Sequence, residues 1–283
     1  MHEKKLTAAR ILSILVPFAM CFFIGFLLRN VNAVFSQYLM QDMELSAVSL
    51  GFLTSVLFLS FSLLQIPSGA ILDRFDTKRV QIFLLIVSAL GAALFGSARS
   101  LFGLAIGEAL MGIGSVTCLI GGMKSFNYWF PKESLGTLNS YMQGLGGLGA
   151  LVVTYPVEAL TRAISWRGVC IVFVTICLAN ALLMYYLTPD EAPKPRRSTQ
   201  GMFNYRSIIC RRSMWKYLIP GACCFGGFMA LQALWVGQWL QGGMGHSSPT
   251  ASLYLLVIAS AIVVGMLLNQ YFIKWGEYFN LDK

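Results

Sequence analysis

The sequence predicts an all-α membrane protein of eight transmembrane helices, and three observations carry that prediction. Of its 283 residues, 57% are hydrophobic and only 12% charged, with a mean hydropathy of +0.67. A water-soluble globule of this size cannot bury that much apolar surface. The apolar residues form continuous blocks rather than short alternating strands, and each block approaches the roughly 20 residues a helix needs to cross a bilayer core. In lipid a helix also satisfies every backbone amide within its own segment.

The blocks fall at about 11–38, 46–70, 80–98, 102–127, 135–159, 166–187, 216–240 and 249–272. The first follows Lys4, Lys5 and Arg10; no small-x-small cleavage site comes after it, so it reads as a retained span rather than a signal peptide. The second runs into the charged turn Asp73-Arg74-Phe75-Asp76-Thr77-Lys78-Arg79, and the third leaves it. The fourth carries Glu108 and stops before Tyr128-Trp129-Phe130-Pro131. The fifth holds the run Gly144-Leu-Gly-Gly-Leu-Gly149, which suits close approach of neighbouring backbones. The sixth begins at Ser165-Trp166-Arg167.

After it comes a linker from Thr188 to Trp215, whose opening Thr-Pro-Asp-Glu-Ala-Pro-Lys-Pro-Arg-Arg is too rich in proline and charge to form a packed core. The expected organisation is a six-helix bundle over 1–187, a linker over 188–215, and two helices of an incomplete second bundle over 216–283.

Basic residues orient the chain. Lys4, Lys5, Arg10, Arg74, Lys78, Arg79, Lys132 and the linker bases share one side, while Arg99, Arg162 and Arg167 lie on the other. The positive-inside rule then places both chain ends in the cytoplasm, with a bacterial inner (plasma) membrane as the expected location. Topology and the lipid bilayer account for the net charge of +9, so nucleic acid is not an expected partner. Six of the seven cysteines fall within spans as small apolar residues, and His2 and His246 are the only histidines. No metal-ligand spacing or acyl-transfer set exists, so neither an enzyme nor a cofactor is expected.

Several polar residues inside the spans are candidate site residues. Arg29 is foremost, because a charge deep in a helix costs roughly 2.5–3.5 kcal/mol on insertion scales and normally faces a cavity or a partner. Gly25, Arg29, Asn32 and Ser36 recur at helical spacing and form one small-polar stripe. Arg29 either grips an anionic substrate group or snorkels to outer headgroups. Glu108, with Gly112 and Ser115, is either a coupling acid or a partner for Arg29. Gln143 on the fifth span and Gln232, Trp235 and Gln238 on the seventh are further cavity candidates, with Trp235 and Trp239 equally suited to anchoring at the membrane interface.

Gln65-Ile-Pro-Ser-Gly69-Ala-Ile-Leu-Asp73-Arg74-Phe-Asp76-Thr-Lys78-Arg79 resembles the signature between helices two and three of the major facilitator superfamily, except that Asp76 stands where the second glycine usually sits. Glu108-Ala-Leu-Met-Gly112-Ile-Gly114, Tyr128-Trp129-Phe130-Pro131 and Ser165-Trp166-Arg167 are similar to family segments in the same order. The resemblance implies a secondary transporter of twelve helices in two bundles, of which this chain holds six and two. It implies alternating access around a midplane site, a small organic solute as substrate, and a coupling proton or ion. Leu28-Arg29-Asn30-Val31-Asn32 resembles the first helix of branches that carry organic anions. Gly69, Asp73, Arg74, Lys78 and Arg79 would then form a gating latch, against the plainer reading of a topogenic cluster on a tight turn. The other expectation is a transport-inactive relative acting as a receptor or assembly partner.

Overall fold

A computed structural model describes residues 8–190, 211–231 and 235–278, and every regular element among them is a helix. The first part comprises α1 (Ala8–Asn30), α2 (Asn32–Asp42), α3 (Ala47–Arg74), α4 (Thr77–Ser97), α5 (Leu101–Gly114), α6 (Cys118–Trp129), α7 (Lys132–Val152) and α8 (Tyr155–Leu187). Helices Arg212–Ala230, Val236–Gln238 and Ser248–Tyr278 follow, with a π-helical turn over Trp239–Gly243. Local chemistry sets several starts: the Ser46 hydroxyl accepts from the Ser49 amide at 3.2 Å, and Ser100 does the same for Gly103. Such caps contribute about 1 kcal/mol each.

Among the described residues, five helices are long and apolar enough to cross a membrane: Arg10–Asn30, Ala47–Arg74, Thr77–Ser97, Leu101–Trp129 and Tyr155–Leu187. The expected spans are less continuous than their hydropathy suggests. The first breaks at Val31, between α1 and α2, and the fourth at Ser115–Thr117, between α5 and α6. The expected boundary between the fifth and sixth spans, 159 to 166, is a sharp turn within α8 at Ser165, whose φ is +65°. The fifth span is interrupted earlier, at Val153 and Thr154, just before Pro156.

Packing explains the glycines. A Cβ on Gly91 of α4 would lie 2.7 Å from the Met111 nitrogen and 2.9 Å from the Gly107 carbonyl oxygen of α5. Gly146 and Gly149 of α7 meet the Phe22 ring and the Phe23 carbonyl of α1, so the glycine run is a contact face between backbones. Phe35, Phe95, Trp166 and Phe173 join α2, α4 and α8 in one aromatic cluster, with Phe35 stacked on Phe95 at 6.4 Å and on Phe173 at 6.2 Å.

Beyond the linker, Ser248–Tyr278 lies along α7, and Val236–Gln238 lies against α2, where a Cβ on Gly237 would stand 3.3 Å from the Ala33 carbonyl oxygen. Leu240, Ala251 and Leu255 make a small core of their own.

Candidate functional site

The breaks in the first and fourth spans bring the interior polar residues together. Arg29, in the last turn of α1, is half-buried. Its Nε donates to the Gly25 carbonyl at 2.8 Å, and its guanidinium lies 4.9 Å from the centre of the Phe61 ring and 5.1 Å from that of Phe26. Cys118, at the start of α6, stands on the other side: a Cβ on Gly25 would be 3.3 Å from the Cys118 Sγ and 3.7 Å from an Arg29 terminal nitrogen. Gly25 therefore leaves room for both. Arg29 forms no ion pair among the described residues. Aromatic faces and a carbonyl hold it in place, and no described carboxylate balances its charge.

Glu108 does not complete that charge. Fully buried on α5, it faces Asn32 of α2, and neither carboxyl oxygen completes a hydrogen bond. This removes the expectation of an Arg29–Glu108 pair. Asn32 turns inward as well: its Nδ2 donates to the Thr54 hydroxyl of α3 at 3.3 Å, and its Oδ1 is buried without a donor. Three buried acceptor oxygens, Asn32 Oδ1 and both of Glu108, thus share one locus where the Asn32 amide is the nearest donor and none completes a full-geometry hydrogen bond. Buried polar atoms are normally satisfied, so such a group points to a ligand or proton.

The other candidates are less gathered. Gln143 is half-buried on α7, Trp235 is 51% exposed, and Gln232 lies outside the described residues. Gln238 keeps a buried Nε2 without an acceptor. A narrow pocket where α1, α2, the end of α7 and Ser248–Tyr278 meet is lined by Asn30, Ala33, Val34, Ala150, Thr154 and Leu255.

At the charged turn, Asp76 has φ −60° and ψ 127°, ordinary extended backbone, and its carboxylate caps α4 by accepting from the Lys78 amide at 2.8 Å. An N-cap aspartate thus stands in place of the family's glycine without strain. Asp73 pairs with Lys124 of α6. Lys78 is buried and pairs with Asp190, at the root of the linker, at 3.1 Å. Arg74 and Arg79 are exposed and form no ion pair among the described residues, and nothing lies within 4 Å of a Cβ placed on Gly69.

Sequence reasoning missed two groups. Lys124 and Glu158 both fall inside expected spans, and their charge alone was the available signal. Glu158 is buried in α8 and pairs with Arg162 at 2.9 Å, with the Tyr38 phenol turned toward it. Gln81 of α4 accepts from the Thr117 hydroxyl at 2.8 Å and so braces the break in the fourth span.

The sequence profile of the Major Facilitator Superfamily matches residues 18–281. The chain is 24% identical over 268 residues to the probable sulfoacetate transporter SauU of Cupriavidus necator, covering 89% of this chain and 62% of that protein. It is 25% identical over 211 residues to the probable nitrate transporter NarT of Staphylococcus epidermidis, covering 72% and 54%. Among solved structures, the bacterial homolog to the human lysosomal transporter Spinster, inward-facing and unoccupied, superposes with a TM-score of 0.75 at 17% identity, over 98% of this chain and 64% of that one. The chain spans less than two thirds of the length of each.

Proposed function

The chain belongs to the Major Facilitator Superfamily, and we propose that it forms the greater part of a secondary transporter carrying a small anion across a membrane by alternating access. The observation that carries the reading is Arg29, a guanidinium inside the bundle between the Phe26 and Phe61 rings with no carboxylate paired to it among the described residues. A half-buried cation without a counter-ion is a site that an anion completes, and guanidinium suits carboxylate, sulfonate or nitrate oxygens bidentately. Two relatives are named for such anions, sulfoacetate and nitrate.

Coupling falls to Glu108 with Asn32. A proton or small cation delivered to these buried oxygens would be held next to Thr54, between the first, second and fourth expected spans, which also supply Phe26, Phe61 and Cys118 around Arg29. The residues over 1–187 would act as the first bundle, 188–215 as the linker and 216–283 as the opening of the second bundle. The packing of Ser248–Tyr278 on α7 supports that arrangement. The Asp73 turn would lie at the cytoplasmic end, in a bacterial plasma membrane. Asp73 and Lys78, already paired within this half, would exchange those partners as the bundles rock.

The test is ligand-induced thermal stabilisation of the purified chain by sulfoacetate, nitrate, a sugar acid and, as neutral control, D-xylose. Stabilisation by one or more anions that disappears in Arg29→Gln is the expected result. Stabilisation by the neutral sugar alone, or by anions equally in Arg29→Gln, would overturn the reading.

A further inference from the structure

On the outer surface of the bundle, away from Arg29, α4 and the sixth-span part of α8 part to leave an open groove of about 320 Å³. Its floor and walls come from Ala92, Ala93 and Gly96 of α4 and from Cys170, Ile171 and Val174 of α8. The groove is apolar along its length and charged at one end, where Ser97 and Arg167 close it. That end is opposite the Asp73 turn, since α4 begins at Thr77 and runs toward Ser97.

Arg167 is half-buried and rigidly held. One terminal nitrogen donates to the Gly96 carbonyl at 2.9 Å and to the Ala98 carbonyl at 2.8 Å, and the guanidinium lies 4.1 Å from the Trp166 ring centre. These partners fix its position without neutralising it. Asp42, at the same end, instead accepts from the Trp166 Nε1 at 2.7 Å, and Arg167 forms no ion pair among the described residues. Arg99, next in the chain to the Ala98 carbonyl, is exposed and likewise forms no ion pair.

We propose that this groove binds one anionic phospholipid, its phosphate against Arg167 and Arg99 and one acyl chain along Ala92, Ala93, Gly96, Cys170, Ile171 and Val174. Charge complementarity selects the occupant: an apolar trough ended by the Arg167 guanidinium, with the exposed Arg99 one residue beyond the Ala98 carbonyl that Arg167 holds and neither in an ion pair among the described residues, matches an amphiphile with a net negative head. A zwitterionic lipid brings its own cation to the same end. The small residues of α4 are what open the trough, because larger side chains at 92, 93 or 96 would fill it.

The test is native mass spectrometry of the purified chain in detergent, titrated with phosphatidylglycerol, with phosphatidylcholine and with inorganic phosphate. Wild type should prefer phosphatidylglycerol by about tenfold, as expected for two interfacial cations. Arg99→Gln should reduce that preference severalfold, and Ala93→Phe should weaken both lipids. Leu59→Phe, on the exposed face of α3, is the control that should change neither. Arg167→Gln also removes the Gly96 and Ala98 bonds, so Arg99→Gln and Ala93→Phe, checked for unchanged thermal unfolding, are the decisive variants. Equal binding of the two lipids, displacement of lipid by inorganic phosphate, or indifference to both variants would each overturn the proposal.

Discussion

The Thr188 hydroxyl donates to the Ser13 carbonyl oxygen at 3.3 Å, which is the carbonyl that Pro17, lacking an N–H, leaves without a donor one turn along α1. The end of the sixth span thereby repairs a defect in the first, and Asn180 adds a bond from its Nδ2 to the Pro17 carbonyl at 3.2 Å. Thr188→Val should lower stability by about 0.5–1.5 kcal/mol, the net worth of one part-buried hydrogen bond. In a Pro17→Ala background, where residue 17 regains its own amide, the same substitution should cost much less. Thermal or denaturant unfolding of the four proteins in detergent checks this, and additive effects would rule the repair out.

Lys78 and Asp190 form an ion pair whose two sides differ, with side-chain exposures of 10% and 64%. Solvent around Asp190 screens the attraction, so a double-mutant cycle with Lys78→Ala and Asp190→Ala should give a coupling below about 1 kcal/mol. Lys78→Ala alone should cost more than Asp190→Ala, because Lys78 is itself buried and also holds its Nζ over the Tyr185 ring, 5.5 Å from the ring centre.

Gly149 and Gly136 sit on the same helix in opposite situations. A Cβ at 149 would run into the Phe23 carbonyl, whereas nothing lies within 4 Å of one at 136. Gly149→Ala should therefore destabilise the bundle by about 1–3 kcal/mol as α1 and α7 are forced apart. Gly136→Ala should be neutral, or stabilising by up to about 1 kcal/mol through its higher helix propensity. Unfolding midpoints of the two variants distinguish a specific backbone contact from a general intolerance of the helix.

Glu108 is the last case. Its carboxyl is buried against the Asn32 side chain and forms no ion pair among the described residues. An isosteric neutral amide can keep the Asn32 contact while removing a buried charge, so Glu108→Gln should leave the unfolding midpoint unchanged or raised. If Glu108 is the coupling group, the same variant should abolish the pH or ion dependence of anion movement while leaving anion binding at Arg29 intact. A Glu108→Gln protein with normal ion dependence would place coupling elsewhere.

The sequence alone determined the solvent of this protein and its helices. Long apolar blocks exclude a soluble globule, and the glycines in α7 and the charged turn at 73–79 each announce their local roles. Arg29 and Glu108 were also legible, since a charge inside an apolar run is costly wherever it lies. What they face was not. Helical periodicity assigns residues to one side of one helix, but it does not say which neighbour that side meets, and the stripe Gly25, Arg29, Asn32 and Ser36 passes from α1 into α2 at Val31. Asn32 turns to Thr54 and Glu108 rather than sharing a partner with Arg29.

The same limit hid the pairs of Lys124 with Asp73 and Lys78 with Asp190, which join residues 51 and 112 positions apart in sequence (124 − 73 and 190 − 78). Hydropathy and local spacing fix which segments enter the membrane. Only the rotation and depth of each helix against its neighbours decide which buried charges meet and which, like Arg29, form no ion pair among the described residues.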